Sequence, residues 1–207
     1  MLRIAVLLSG TGRSLDNLQR EIAAGRLCAD IAVVISSKPE AYGLVRARAH
    51  GLDAVAVSRR AHPDLEAFNA AINAVLAPYG VGLVVLAGFL ALYQPLPELA
   101  GRVMNIHPAL LPAFGGQGFY GDRVHQAVLD SGVKVSGCTV HFADSRYDHG
   151  PIILQTAVPV LDDDTVPSLA ARVFAAECEA YPRAIQLFAD DRLRLQGRRV
   201  HILPAGD

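Results

Sequence analysis

The apolar positions of this chain come in blocks, and the spacing inside each block names its element. Residues 3–8 are a continuous apolar run from Ile4 onward, bounded by Ser9-Gly10, which predicts a strand buried on both faces. After Gly12, Leu15, Leu18 and Ile22 recur at helical spacing up to Gly25, predicting an amphipathic helix. Residues 30–36 predict a second buried strand, 41–50 a helix closed by Gly51, and 53–57 a short third strand. Pro63 opens a helix with Leu65, Phe68, Ile72 and Leu76 on one face. Residues 83–88 predict a fourth strand and 102–106 a fifth. Two β-branched runs, 134–142 and 151–160, flank a polar loop at 143–150. A long helix follows over about 165–188, with Leu169, Val173, Ala176 and Ala180 in one stripe and a kink expected at Pro182. The tail, 192–203, predicts a hairpin turning at Gln196-Gly197.

Strand alternating with helix over the first half implies an α/β fold with a mainly parallel, doubly wound, Rossmann-like sheet. The two runs of the second half add an antiparallel element. No repeat, low-complexity tract or linker interrupts the pattern, so a single domain over 1–207 is expected. In such sheets ligands bind outside the carboxyl ends of the strands. Those ends are Ser9–Gly12, Ser36-Ser37, Gly88-Phe89 and Asn105-Ile106-His107.

Composition narrows the partners. The chain is 52% hydrophobic, yet no run approaches a membrane span, and its first residues enter a strand without a signal-peptide layout. Three scattered cysteines, Cys28, Cys138 and Cys178, suit a reducing, cytoplasmic setting and argue against a disulfide frame or a structural zinc site. A net charge of -1 leaves no electrostatic footprint for nucleic acid or an anionic membrane. A small-molecule task is expected.

The chemistry concentrates at three places. In 9–14, Ser-Gly-Thr-Gly-Arg-Ser, glycines let amides converge at a helix amino end, which suits a phosphate; a tight turn needing small residues fits equally well. Leu15 stands where the dinucleotide fingerprint wants its third glycine, and the P-loop Gly-Lys-Ser/Thr is absent, so a single phosphate fits better than a nucleotide diphosphate. At the fifth strand's end, Asn105 and His107 share one face while Ile106 takes the other. A carboxamide beside an imidazole can polarise a carbonyl and manage one proton, although a turn could use both merely to satisfy backbone groups. The third place is the loop 144–151. Spacing alone favours a solvated, charged hairpin loop here; if Asp148 instead reaches His107, its charge raises the imidazole pKa and leaves it more often protonated, ready for an oxyanion. His107, His125, His141 and His149 lack metal-ligand spacing. Cys138 and His141 have opposite parity along their strand, whereas Thr139 and His141 share a face. No G-x-S-x-G elbow occurs.

Taken together, Leu8–Gly12, Leu86–Phe89, Asn105–Pro112, Gly137–Phe142 and Asp148–Gln155 resemble the phosphoribosylglycinamide formyltransferase family. The resemblance runs from the first strand to about Leu195. It implies 10-formyltetrahydrofolate as co-substrate, 5'-phosphoribosylglycinamide (glycinamide ribonucleotide) as acceptor, and no metal. It further implies that Asn105 hydrogen-bonds the formyl oxygen, that His107 stabilises the oxyanion and donates a proton, and that Asp148 supports His107. Gly12, Arg13 and Ser14 would hold the substrate phosphate, and Glu177 would contact the same substrate. Folate would lie against Leu90, Ala91, Leu92, Tyr93, Asn105, Ala143 and Tyr147. A homodimer is left open.

The chain departs from the family pattern in three places. Arg13-Ser14 stand for the usual Ser-Asn, Leu90-Ala91 lack the usual arginine, and the loop 115–121 is longer. Other readings are methionyl-tRNA formyltransferase, which would need an RNA-binding carboxyl-terminal domain and a basic surface, and formyltetrahydrofolate hydrolase, which would need a domain ahead of strand one. A non-catalytic phosphosugar or folate binder is the reading from another class, and the full Asn105, His107 and Asp148 set speaks against it.

Overall fold

A computed structural model describes residues 1–206, which fall into two compact units, one over Met1–Met104 and one from Asn105 onward. The first unit is built on β1 (Leu2–Leu8), α1 (Arg13–Ala23), β2 (Ala29–Ser36), α2 (Tyr42–Ala49), β3 (Ala54–Ala56), α3 (Leu65–Leu76) and β4 (Leu83–Leu86). Its strands run parallel in the order β3-β2-β1-β4. Ile4 to Leu8 are fully buried, as an uninterrupted apolar strand must be when both faces are covered. The helix expected to open at Pro63 is instead capped by Asp64, whose carboxylate accepts the Ala67 N–H. A side-chain acceptor satisfies an end amide that proline cannot.

The chain leaves β1 for β2 and β3 on one side and returns to β4 on the other. That reversal makes a crevice at the carboxyl ends of β1 and β4, the place where open α/β sheets take ligands. The two ends are tied: Ser9 N donates to Gly88 O at 3.0 Å, and Leu90 N donates to Ser9 Oγ at 2.9 Å. The phosphate-loop candidate and the Leu90 segment therefore share one anchor.

The chain passes into the second unit within β5 (Val103–His107) and continues through α4 (Asp122–Ser131), β6 (Val135–Phe142), β7 (Ile152–Pro159), α5 (Val166–Ala189), β8 (Leu193–Gln196) and β9 (Arg199–Ile202). Strand order in this unit is β5-β6-β7-β9-β8, with β6–β7 and β8–β9 antiparallel. The α/β class with an antiparallel carboxyl-terminal part is thus the one the pattern predicts. Helix α5 lies against β6 and β7, burying Leu169, Val173, Ala176 and Ala180, and it continues through Pro182 to Ala189. Helix α4 was not read from the pattern; it is short and buries only Val124, His125 and Val128. No helix among the described residues is long and apolar enough to cross a membrane.

Gly12 ends the turn after β1 with φ +78° and caps α1. A Cβ there would stand 2.7 Å from the Gly43 Cα at the start of α2, so both the dihedral and the packing demand glycine. Gly12→Ala should destabilise the fold by about 2–4 kcal/mol, the sum of left-handed strain and overpacking. Urea unfolding monitored by circular dichroism measures this, and a midpoint matching the parent would show that the turn relaxes freely.

Candidate active site

The candidate catalytic residues of the second unit converge. Strand parity puts Asn105 and His107 on one face of β5, and His141 on β6 reaches the same place. The β6–β7 ladder slips there: Val140 faces Leu154 but His141 faces Ile152, leaving Ile153 as the extra residue of a bulge. Such bulges re-aim side chains beside sites. Asn105 Nδ2 lies 3.1 Å from His141 Nε2 and 3.3 Å from Asp148 Oδ1. Because His141 Nδ1 donates to Phe142 O at 2.8 Å, its Nε2 accepts from the Asn105 amide in the neutral ring. Both hydrogens of the Asn105 amide are therefore engaged, and donation to a substrate oxygen would draw on the longer, Asp148 contact.

His107 is 3% exposed. Its Nε2 lies 2.8 Å from Phe114 O, and a carbonyl can only accept, so the neutral ring carries its hydrogen on Nε2. Nδ1 then faces Asp148 Oδ2 at 3.5 Å and is the atom free to take or give a proton. Asp148 reaches His107 as the resemblance implies, but the balance of charge differs. Burial is the largest influence and pulls the His107 pKa down. The Asp148 charge and the Phe114 carbonyl push it up without overcoming burial, and the net position is below the ordinary 6.5. The expectation of a more often protonated imidazole fails because a buried cation costs more than one carboxylate at this distance returns.

Asp148 is itself nearly buried. Burial would raise its pKa, but His141, the charge of His107 and the Gly116 amide, 2.9 Å from Oδ2, together hold the carboxyl below its usual range. Its backbone sits at φ +51°, and Phe114, the other direct partner of His107, sits at φ +54°. Two non-glycine residues in a costly conformation at one cluster persist only where surrounding contacts over-determine them. A Cβ on Gly115, between these contacts, would fall 2.4 Å from Leu111 Cδ2 and 3.3 Å from the Asp148 Cβ, so the Leu111 side chain would have to shift. The long glycine-rich loop thus serves the cluster with its backbone.

A second network fixes the chain that leaves His107. Thr139 Oγ1 donates to Ala109 O at 2.7 Å and accepts from Leu111 N at 3.0 Å. Gln155 Nε2 reaches both Thr139 Oγ1 and Leu111 O at 3.0 Å. Sequence reading missed His141, Thr139 and Gln155 as parts of the site. Their signal was the shared parity of Thr139 and His141; the Phe114 and Gly116 backbone contacts left none.

The remaining candidates are placed as follows. Gly12, Arg13 and Ser14 open α1, where no side chain caps the helix. Leu90 is exposed, Ala91 and Leu92 are half-buried, and Asn69 binds Leu92 O and Gln94 N. The Tyr93 side chain does not face outward: it is 1% exposed and donates to Asn73 Oδ1 at 2.7 Å, and burial pushes its pKa up. Ala143 and Tyr147 are half-buried in the loop before Asp148. Glu177 lies on α5, where its charge adds to burial in pushing the Cys138 thiol up to about 12. His125 sits on α4, while His149 binds Asp144, so the four histidines do not converge. Among the described residues no group of three or more His, Cys, Asp or Glu is arranged to hold a metal ion.

Known proteins resemble the chain in sequence and in fold. The formyl transferase family matches residues 2–185, and the chain belongs to that family. A phosphoribosylglycinamide formyltransferase of Haemophilus influenzae is 35% identical over 204 residues, covering 98% of this chain and 94% of that protein. The crystal structure of glycinamide ribonucleotide transformylase 1 from Symbiobacterium toebii superposes with a TM-score of 0.91 at 48% identity, covering 99% of this chain and 95% of that one. The trifunctional purine biosynthetic protein adenosine-3 of Bos taurus is 40% identical over 195 residues, 93% of this chain. The chain spans 19% of the length of that relative.

Both depressed pKa values make acid destabilising. As pH falls below 6.5 the unfolded chain protonates the His107 position before the native one does, and below 3.8 the same holds for Asp148. The native His107 should titrate below 6.5 by NMR, and Asp148→Asn should lower it further by removing the charge that pushes it up. A native value above 6.5 would mean that Asp148 outweighs burial.

Proposed function

We propose that the chain transfers the formyl group of 10-formyltetrahydrofolate to the amine of 5'-phosphoribosylglycinamide, a step of purine biosynthesis. The observation that carries this reading is the buried pair in which His107 Nε2 is pinned by the Phe114 carbonyl while Nδ1 faces Asp148, beside Asn105. Such an arrangement suits one transferable proton and one developing negative charge. The likeness in sequence and shape to proteins named for this reaction supports it.

In this reading the acceptor amine attacks the formyl carbon, and the carbonyl electron pair moves onto oxygen. Neutral His107 accepts the amine proton at Nδ1, directly or through water. The resulting imidazolium, steadied by Asp148, lies beside the oxyanion, with Asn105 as a further donor. The proton then passes to N10 of the folate as the carbon–N10 bond breaks. The amide product and tetrahydrofolate leave with atoms and charge balanced. His107 thus begins as a base and finishes as an acid; a lowered pKa keeps the ring neutral before the first step and favours release of the proton at the last.

The substrate phosphate is assigned to Gly12, Arg13 and Ser14, where the amino end of α1 adds partial positive charge. Glu177 is assigned to the same substrate. Folate is assigned to Leu90, Ala91 and Leu92, to Ala143 and Tyr147, and to Asn105, with Tyr93 acting through its backbone. The folate segment owes its shape to Ser9, Asn69 and Asn73, which hold residues 90–94 from behind.

The test mixes the protein with 10-formyltetrahydrofolate and measures tetrahydrofolate release with and without glycinamide ribonucleotide. Release should depend on the ribonucleotide and be weak with water alone; equal rates would favour a hydrolase. Asp148→Asn should lower kcat by about 10²–10³, as loss of one stabilising group commonly does, with both KM values nearly unchanged. Arg13→Glu should instead raise KM for the ribonucleotide and spare that for folate. Loss of both affinities together would place the phosphate elsewhere.

A further inference from the structure

The loop that carries Asp148 is gripped from outside by the carboxyl-terminal hairpin. Strand β9 pairs with β7 at Ile152 opposite Arg199, which sets Arg198 beside the end of the 143–150 loop. Arg198 Nη2 donates to His149 O at 2.5 Å, and its Nη1 lies against the ring, 3.2 Å from His149 Nε2 and 3.3 Å from Nδ1. Arg146 Nη2 reaches the same Nε2 at 2.6 Å, and His149 Nδ1 lies 2.6 Å from Asp144 Oδ2. A carboxylate only accepts and a guanidinium only donates, so Nδ1–H points to Asp144 and the Nε2 side of the ring faces Arg146.

The loop has little slack of its own. Its neck is closed by Phe142 N donating to Pro151 O at 2.8 Å, and a Cβ on Gly150 would fall 1.7 Å from Phe142 O. Within that closed loop Asp148 holds a left-handed backbone, φ +51°, a conformation uncommon outside glycine that Asp tolerates better than most residues. Asp148 is fixed on its inner side by Gly116 and Asn105. The next residue, His149, is fixed on its outer side by Arg198.

We propose that Arg198, at the turn of the β8–β9 hairpin, is a positioning residue for Asp148: it clamps the His149 backbone and ring, and so keeps the Asp148 carboxylate turned to His107. The consequence for catalysis rests on the role proposed above for Asp148. Exposed ion pairs by themselves contribute little. Arg198 differs because one planar guanidinium donates to the His149 carbonyl and also lies against the His149 ring, next to the left-handed Asp148, and the fork geometry is what lysine lacks.

Arg198→Ala and Arg198→Lys, made in the full chain, test this. The Ala variant should lose about tenfold in kcat, since small misplacements of a reacting group cost at least that much, while KM for the ribonucleotide stays put. The His107 NMR titration, assigned against His107→Asn, should move to lower pH because less of the Asp148 charge reaches the ring. The Lys variant should recover only part of both, and added guanidinium should restore activity to the Ala variant but not to the parent. Unchanged kcat and an unchanged titration would overturn the proposal. A lowered unfolding midpoint with an unmoved titration would overturn it too, leaving the hairpin a purely structural prop. Should the parent fail to transfer formyl to the ribonucleotide, the functional reading falls, and the titration alone decides whether Arg198 positions Asp148.

Discussion

A carboxylate taken nearly out of water must be compensated, and the second unit is arranged around that requirement at Asp148. Its oxygens meet the Asn105 amide from β5, the Gly116 N–H from the glycine-rich loop, and the imidazoles of His107 and His141. Removing one partner from a buried charge costs far more than the net worth of the pair, so these four contacts constrain one another. The bulge at His141, the absence of a side chain at Gly115 and the left-handed backbones at Phe114 and Asp148 are local concessions that let four separate segments meet at one anion.

The same constraint sets the state of His107. Burial and Asp148 oppose each other there, and burial prevails. A fixed carboxylate 3.5 Å away, short of a direct hydrogen bond, steadies an imidazolium without forcing it to exist beforehand. Such a ring can accept a proton and then release it, which a permanently charged or permanently neutral one cannot. The Phe114 carbonyl completes the arrangement by reserving Nε2, so that the proton exchanges only at Nδ1.

The first unit answers to a different requirement, close approach. Gly12 against Gly43 brings α1 and α2 together behind the loop that follows β1, and Ser9 ties that loop to the Leu90 segment after β4. Because Gly12 is needed for packing, its presence there is no measure of phosphate binding. Arg13 and Ser14, half-buried or exposed, carry that question instead.

Elements with a strong period were legible without coordinates. The buried strands β1, β2 and β4, the stripe of α5 and the paired runs β6 and β7 all follow from the spacing of apolar residues, because that spacing is itself the requirement for burial. Asn105 and His107 were legible as a pair for the same reason: alternation along a strand is fixed by covalent geometry. Helix α4 was not, since two buried valines and a histidine after a run of glycines carry little periodic signal. What only the tertiary structure decided is which groups those residues meet. Phe114 and Gly116 act through backbone atoms that every residue possesses, and Arg198 acts across half the second unit through a strand pairing that local pattern does not specify. The sign of the His107 shift was also undecidable from sequence, because it depends on how deeply the ring is buried relative to how near its carboxylate lies.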